Sequence, residues 1–447
     1  MTDSASPARP AHTIAITSAA PQAPTRPAGP APTTGPWRLA TLMAAPHRLG
    51  FFLAMLVLMA ASAWWLLVQE DRIHGWFGLG YAVSPTLTHA TVMVLGFMPL
   101  FFSGFLFTAG PRWLNVPPYA TRLLVGPLGL QAVGWMFWLA GAHLAGPLAL
   151  LGLALACAGL GWMYLLFWRL LGASRVNDRV HATAVGIGGI VGTLCLAGTG
   201  LAMLQGQDQL ALALVRTALW GFIVVTYVAV AHRMIPFFTS GVLPLIEVWR
   251  PFWVLWLMLG AAAFEVLTIW VDFAAPGASA WPFWAVAVIL VELAAGGVLL
   301  WLAMVWGLVQ SLKIRLLAML HVGFAWLGVA LLWSAASQTL WLATGRPVLG
   351  LGALHALSIG FLGSIMVAMV TRVSCGHSGR PLVADNLVWV LFWLLQVAAG
   401  VRMAAAVQGA PQALTGLAAL MWTAVVSVWA VRYARWYGRP RTDGKPG

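Results

Sequence analysis

The sequence predicts an all-α, polytopic membrane protein with twelve transmembrane helices and both termini in the cytoplasm. The chain of 447 residues is 61% hydrophobic and only 8% charged, with a mean hydropathy of +0.88, whereas soluble domains carry about 25% charged residues. Apolar runs of about 20 residues, the length that crosses the hydrocarbon core of a bilayer, follow one another with short breaks. No soluble domain of any size fits between these runs.

The apolar runs define each predicted span, because charged and turn residues separate them. The predicted spans are 49–68, 85–110, 120–141, 145–171, 180–204, 210–235, 251–272, 281–310, 314–341, 351–372, 386–405 and 411–433.

The two ends of the chain differ in composition from the spans. Residues 1–46 are rich in proline and alanine without apolar periodicity, so we predict a disordered cytoplasmic tail. Residues 47–436 form the predicted transmembrane domain, and 437–447 a short basic cytoplasmic tail. The first long apolar run starts near Phe51, too late and too long for a signal peptide, so we expect insertion through uncleaved helices.

The basic residues predict the orientation of the helices. With the amino terminus inside, 20 of the 24 lysines and arginines fall in inner segments, as the positive-inside rule requires of a chain with both termini in the cytoplasm. The four on the outer half are Arg72, Arg216, Arg346 and Arg402. The net charge of +13 is therefore a signal of topology, and we expect no nucleic-acid partner.

Six of the ten histidines are candidates for metal binding. His12, His47, His74 and His143 lie in the tail or in predicted outer loops, and we expect them to be solvated. Ionisable side chains in membrane segments are costly and often bind something, although a hydrogen bond to a neighbouring helix is the plainer interpretation of any single histidine. The six candidates are His89, His181, His232, His321, His355 and His377.

Two of the candidates share depth and a local pattern. His89 and His355 each begin a helix with a His-Ala pair, and both helices, the second and the tenth, enter from the outer side. Gly96 and Gly363 follow them about two turns later on the same helix face. A glycine there would let a flat ring or a neighbouring backbone approach closely.

This outer pair predicts a haem, since two neutral imidazoles on different helices can ligate iron from opposite faces. The remaining candidates, His181, His232, His321 and His377, form an inner group. Imidazole is a good ligand for copper, so the inner group predicts a copper site or a second haem.

Four further stretches of the sequence are distinctive. They read LHALSIGFLGSIMVAMVTRVSCGHSGRPL at 354–382, HVGFAWLGVALL at 321–332, GFLFTAGPRW at 104–113 and RMIPFFT at 233–239. These stretches resemble the NnrS family of haem- and copper-containing membrane proteins of the bacterial nitric-oxide response. The family's second helix usually opens with His-x-His-Glu, but here those positions are His89, Ala90, Thr91 and Val92. A site that depends on both imidazoles would therefore be altered in this chain, and the resemblance supports copper less than it supports haem.

The twelve-helix plan is also similar to subunit I of haem-copper oxidases, in which helices two and ten ligate a haem near the outer face. The seventh predicted helix of this chain has no histidine. The three-histidine copper site of those oxidases is therefore missing.

The resemblance implies a multi-pass protein of the bacterial inner membrane that binds haem b and has nitric oxide or a related small molecule as its partner. Arginine binds carboxylates bidentately, so Arg216, Arg346 and Arg402 are suitable outer-side partners for haem propionates. Whether the protein is an enzyme, such as a haem-dependent nitric-oxide-related oxidoreductase, stays open, as does its oligomeric state. The rival class is a secondary transporter of a small solute, with structural histidines and a site near the midplane.

Two carboxyl groups lie at depth in the predicted spans. Glu265 is in the outer part of the seventh helix and Glu292 is in the middle of the eighth. Carboxylates in lipid become neutral or pair with another group. We therefore expect each to form a structural hydrogen bond or an arginine contact, with a proton relay as the alternative.

Overall fold

The computed structural model describes residues 35–243, 247–277 and 281–445. Within these ranges the regular structure is helical, and twelve helices are long and apolar enough to cross a membrane. The predicted all-α membrane architecture is confirmed. The helices are α1 (Pro46–His74), α2 (Pro85–Leu114), α3 (Thr121–Leu144), α4 (Gly146–Ala173), α5 (Val180–Leu204), α6 (Asp208–Ser240), α7 (Phe252–Ala274), α8 (Pro282–Val305), α9 (Arg315–Thr344), α10 (Gly352–His377), α11 (Asn386–Ala404) and α12 (Ala413–Tyr437).

The helix ends follow from local chemistry. Pro46 and Pro85 occupy first-turn positions, where the N–H that proline lacks would be unpaired in any case. Gly75 ends α1 with φ of 69°, a left-handed conformation that glycine adopts without steric cost. The Asp385 carboxylate accepts a hydrogen bond from the Val388 N–H and caps α11.

The first and last parts of the described chain lie on the same face of the helix bundle. The Arg38 N–H donates to the Gly438 carbonyl at 2.7 Å. Arg48 Nη1 donates to the carbonyls of Tyr437 and Arg439 at 3.0 and 2.7 Å. We call this side the terminal face and the other side the opposite face; that the terminal face is cytoplasmic stays a prediction.

Part of the segment expected to be a disordered tail is folded. Residues Leu39–Ala44 form a 3₁₀-helix, and Leu42 is buried, because the last apolar residues of this segment pack against the bundle. Residues 1–34 of that tail, and 446–447 of the carboxyl-terminal tail, lie outside the described residues.

Three of the spanning helices are irregular. The α-helical geometry of α2 is interrupted at Gly96 and Phe97, just before Pro99, whose ring cannot donate a backbone hydrogen bond. α6 has π-helical turns at Leu219–Val224, and α10 has them at Ala356–Gly363. Such wide turns are rare and concentrate at functional sites.

The packing of the helices encloses a space near the opposite face. α1 packs against α2 and α12, α2 against α6, and α11 against α10 and α12. Six helices that are far apart in sequence therefore contribute side chains to the same region.

Candidate functional site

A cavity of about 330 Å³ lies among α1, α2, α6, α10, α11 and α12. Its wall is mainly apolar and aromatic, with residues such as Met93, Phe97, Ile359 and Trp422. Its polar side chains include two histidines and three arginines, which are His89, His355, Arg72, Arg216 and Arg402. The structure thus brings both outer histidines and two of the three expected arginines to one cavity.

The His89 ring is held against an indole of the neighbouring helix. His89 lies near the start of α2, and its ring stacks on that of Trp65 in α1, with centroids 3.7 Å apart and planes at 18°. Its Nδ1 is buried with no hydrogen-bond partner among the described residues. Stacking fixes the plane of the imidazole, while Nδ1 is left without a protein partner in this part of the structure.

The His355 ring is oriented by its own helix. His355 Nδ1 donates to the Leu351 carbonyl at 2.8 Å, since a carbonyl oxygen accepts only. The proton therefore resides on Nδ1, and Nε2 keeps the lone pair that a metal would use. A backbone carbonyl in this role is the usual outer partner of a metal-binding imidazole.

The π-helical turns of α10 begin directly after His355. Within those turns, Ser358, Ile359 and Leu362 line the cavity, and Leu219 and Ile223 do so from the π-helical turns of α6. Both wide turns thus present their side chains to the same space.

The cavity carries a positive charge without a carboxylate in its described wall. Arg72, Arg216 and Arg402 approach it from α1, α6 and α11. The guanidinium carbon of Arg72 lies 5.4 Å from the centroid of the Trp65 ring, a cation–π distance. Arg346, an expected partner, is not among the described residues that line the cavity.

The two predicted glycines lie behind the cavity wall. A Cβ added at Gly96 would lie 2.3 Å from the Val92 carbonyl oxygen, at the interruption of α2. A Cβ added at Gly363 would lie 3.2 Å from the ring of Trp422, which does line the cavity. The role expected of both glycines, close approach to a flat ligand, stays a prediction.

The donor set of this cavity fits haem. The two imidazoles could hold the iron, the apolar walls could enclose a porphyrin, and the three guanidinium groups could bind its propionates. Because Nδ1 of His355 is already engaged with a carbonyl, its tautomer is the one that ligation through Nε2 requires.

The inner histidines do not gather in one cluster. His181 Nε2 and His232 Nδ1 are 2.9 Å apart, and His232 Nε2 donates to the Pro251 carbonyl at 3.1 Å. His321 Nε2 is 2.9 Å from the Thr239 hydroxyl. Across residues 35–243, 247–277 and 281–445, no group of three or more histidine, cysteine, aspartate or glutamate residues could hold a metal ion.

The expectation that His47 is solvated is wrong. His47 is only 2% exposed, and its ring centroid lies 4.4 Å from that of His377, the last residue of α10. The reason is the packing of α1 beside the end of α10 on the terminal face, which the position of His47 next to the tail did not reveal. His143 is half-buried, and its Nε2 accepts a hydrogen bond from Trp64 at 2.7 Å.

Sequence reasoning missed the contribution of α1 to the cavity. Trp65, Gln69 and Arg72 all line it. Arg72 was one of only four basic residues assigned to the outer half, and that rarity was an available signal. No feature of the sequence pointed to Trp65 and Gln69, because nothing in the sequence shows that α1 packs against α2 and α12 at this depth.

The chain matches a known protein family. The family model described as NnrS protein matches residues 41–441, which is nearly the whole chain. A search of curated proteins found no match.

Proposed function

Because the chain belongs to the NnrS family, we propose that it is a haem b-binding protein of the bacterial inner membrane that acts in the nitric-oxide response. The observation that carries the proposal is the shared cavity of His89 and His355. These residues lie 266 positions apart in the chain, and independent structural histidines would have no reason to border the same space.

The residues of the cavity have distinct roles in this proposal. His89 and His355 would hold the iron, with the Leu351 carbonyl keeping the His355 proton on Nδ1 and the Trp65 ring fixing the His89 plane. Arg72, Arg216 and Arg402 would bind propionates. Haem ligated by two imidazoles supplies one-electron transfer at a potential that the surrounding charges tune.

Spectroscopy of the purified full-length protein tests the proposal. We expect a b-type reduced-minus-oxidised spectrum, and a change in that spectrum on addition of nitric oxide if the haem itself binds the gas. A colourless protein that takes up no added haem would contradict the proposal and favour a secondary transporter or an assembly protein with structural histidines.

Copper binding is a separate part of the proposal. The NnrS resemblance implies it, and the His181–His232 pair offers two imidazoles in contact. Two ligands do not complete a copper site. Metal analysis of the purified protein decides this part, and a protein with haem but without copper would remove it.

Replacing Arg402 with alanine is expected to weaken haem binding by about tenfold or more. A hydrogen bond to a charged group is worth roughly 1.5–3 kcal/mol, and about 1.4 kcal/mol is a factor of ten in affinity. The measurement is haem titration of the apoprotein followed by absorbance. Arg346→Ala is the matched control, since Arg346 is an exposed arginine outside the cavity wall; an equal loss in both variants would contradict the propionate role.

A further inference from the structure

A second cavity, of about 360 Å³, lies beside the first among α6, α7, α9 and the start of α10. Its wall includes Gln209, near the start of α6, and Asp272, near the end of α7. Both positions are close to the opposite face. This cavity is therefore near the same side of the protein as the first one.

The two cavities share part of their walls. Leu212, Arg216, Leu351 and Leu354 border both. The second cavity differs in chemistry, because its wall contains the carboxyl groups of Glu265 and Asp272, whereas the described wall of the first contains none.

A pair of buried carboxyl groups lies at the second cavity. Glu265 of α7 lines the cavity and is 8% exposed, and Glu292 of α8 lies behind it and is 3% exposed. The two carboxyl groups hydrogen-bond to each other, and Glu292 also bonds to the Ser334 hydroxyl of α9. Glu292 Oε2 remains buried without a partner among the described residues.

A hydrogen bond between two carboxyl groups requires a proton on one of them, since carboxylates only accept. Two adjacent negative charges in an apolar interior would in addition repel each other strongly. The pair is thus built to hold a proton, and the unpartnered oxygen of Glu292 gives that proton more than one position.

The charged groups that face this pair are few. Apart from Glu265 itself, Arg216 and Asp272 are the charged side chains that line this cavity among the described residues. Ser334 is the polar group of α9 that bonds to Glu292. Burial and mutual repulsion favour the protonated pair over the doubly ionised one.

We propose that Glu265 and Glu292 form a binding site for a single proton, which exchanges with water at the opposite face through the second cavity. A purely structural pair would instead keep its proton permanently. Exchange of the proton is therefore the property that distinguishes the two cases. We expect exchange because the cavity that Glu265 lines is also lined by Gln209, Thr268 and Asp272, which lie towards the helix ends.

Infrared difference spectroscopy of the purified full-length protein tests the site directly. We expect a band of a protonated carboxyl group that shifts in D₂O and whose intensity changes reversibly with pH. Glu265→Gln and Glu292→Gln should each shift the band, since the remaining buried carboxyl group loses its hydrogen-bonded partner, and the double variant should remove it. Glu247→Gln is the matched control, because Glu247 is an exposed glutamate outside the spans, and this variant should keep the band.

Three outcomes would overturn the proposal. A band that persists unchanged when both residues are glutamine belongs to another carboxyl group. A band that neither exchanges in D₂O nor changes with pH identifies a structural pair. Loss of the band on adding sodium ions at constant pH identifies a metal-cation site instead.

If the glutamine variants do not fold, Ser334→Ala should still shift the band frequency, and no shift would count against the pair.

A consequence of the site rests on the proposed function. The two cavities share part of their walls, so the positive charge of a proton bound at the glutamate pair would make the electrostatic potential at a haem in the first cavity more positive. The haem midpoint potential should then fall as pH rises, and fall less in Glu265→Gln. The infrared measurement needs no haem, so failure of the haem proposal and failure of the proton site give different results.

Discussion

Replacing His355 with alanine is expected to remove the haem absorbance of the purified protein. His355 presents Nε2 as an unprotonated nitrogen because its Nδ1 proton is engaged by the Leu351 carbonyl. Loss of an outer-shell partner alone costs about 10- to 100-fold in metal affinity, so loss of the ligand itself should cost more. The Soret band of protein purified at equal concentration measures the effect, and His89→Ala should behave alike.

The matched control for this prediction is His74→Ala. His74 ends α1 near the same face, and its exposed side chain pairs with Glu70, away from the described cavity wall. Added imidazole should restore absorbance to His355→Ala, since it can enter the space left by the side chain, whereas a misfolded variant would not recover. Full haem occupancy in both alanine variants would exclude the two histidines as ligands.

Replacing Gly134 with leucine is expected to destabilise the protein by about 3 kcal/mol, at the upper end of the usual cost of overpacking. A Cβ at Gly134 in α3 would lie 2.6 Å from both the Ala156 nitrogen and the Gly152 oxygen of α4. These are backbone atoms, so the two helices would have to separate. Thermal unfolding in detergent, followed by circular dichroism, measures the change.

Gly129→Leu is the control for Gly134→Leu, because nothing lies within 4 Å of a Cβ added at Gly129 in the same helix. Small residues let transmembrane helices approach closely, and Gly152→Leu should reproduce the loss from the α4 side. Similar melting temperatures for the Gly134 and Gly129 variants would mean that the α3–α4 contact adjusts, and that close glycine packing is not essential.

The candidate site was partly predictable. His89 and His355 could be found because an ionisable ring in an apolar segment is a local feature, and their equal depth follows from counting spans. Arg216 and Arg402 could be found because arginines are rare on the outer half. Trp65 could not, since its contact with His89 depends on which helices are neighbours.

The pairing of Glu265 with Glu292 was likewise only partly predictable from the sequence. The sequence predicted the depth of both residues, and the expectation that each would have a partner followed from the cost of burying a charge. That the partner is the other glutamate, and that Ser334 joins them, depends on how α7, α8 and α9 approach one another.

The twelve apolar spans, the family and the depth of the ionisable side chains were contained in the sequence alone, because each depends on a local run of residues. The tertiary structure alone decided which helices are neighbours, that α1 completes the first cavity, that α6 and α10 widen into π-helical turns beside it, and that the inner histidines divide into separate contacts. The physical reason is that lipid and protein interior are similarly apolar. The hydrophobic pattern of a membrane helix therefore does not report which of its faces meets another helix.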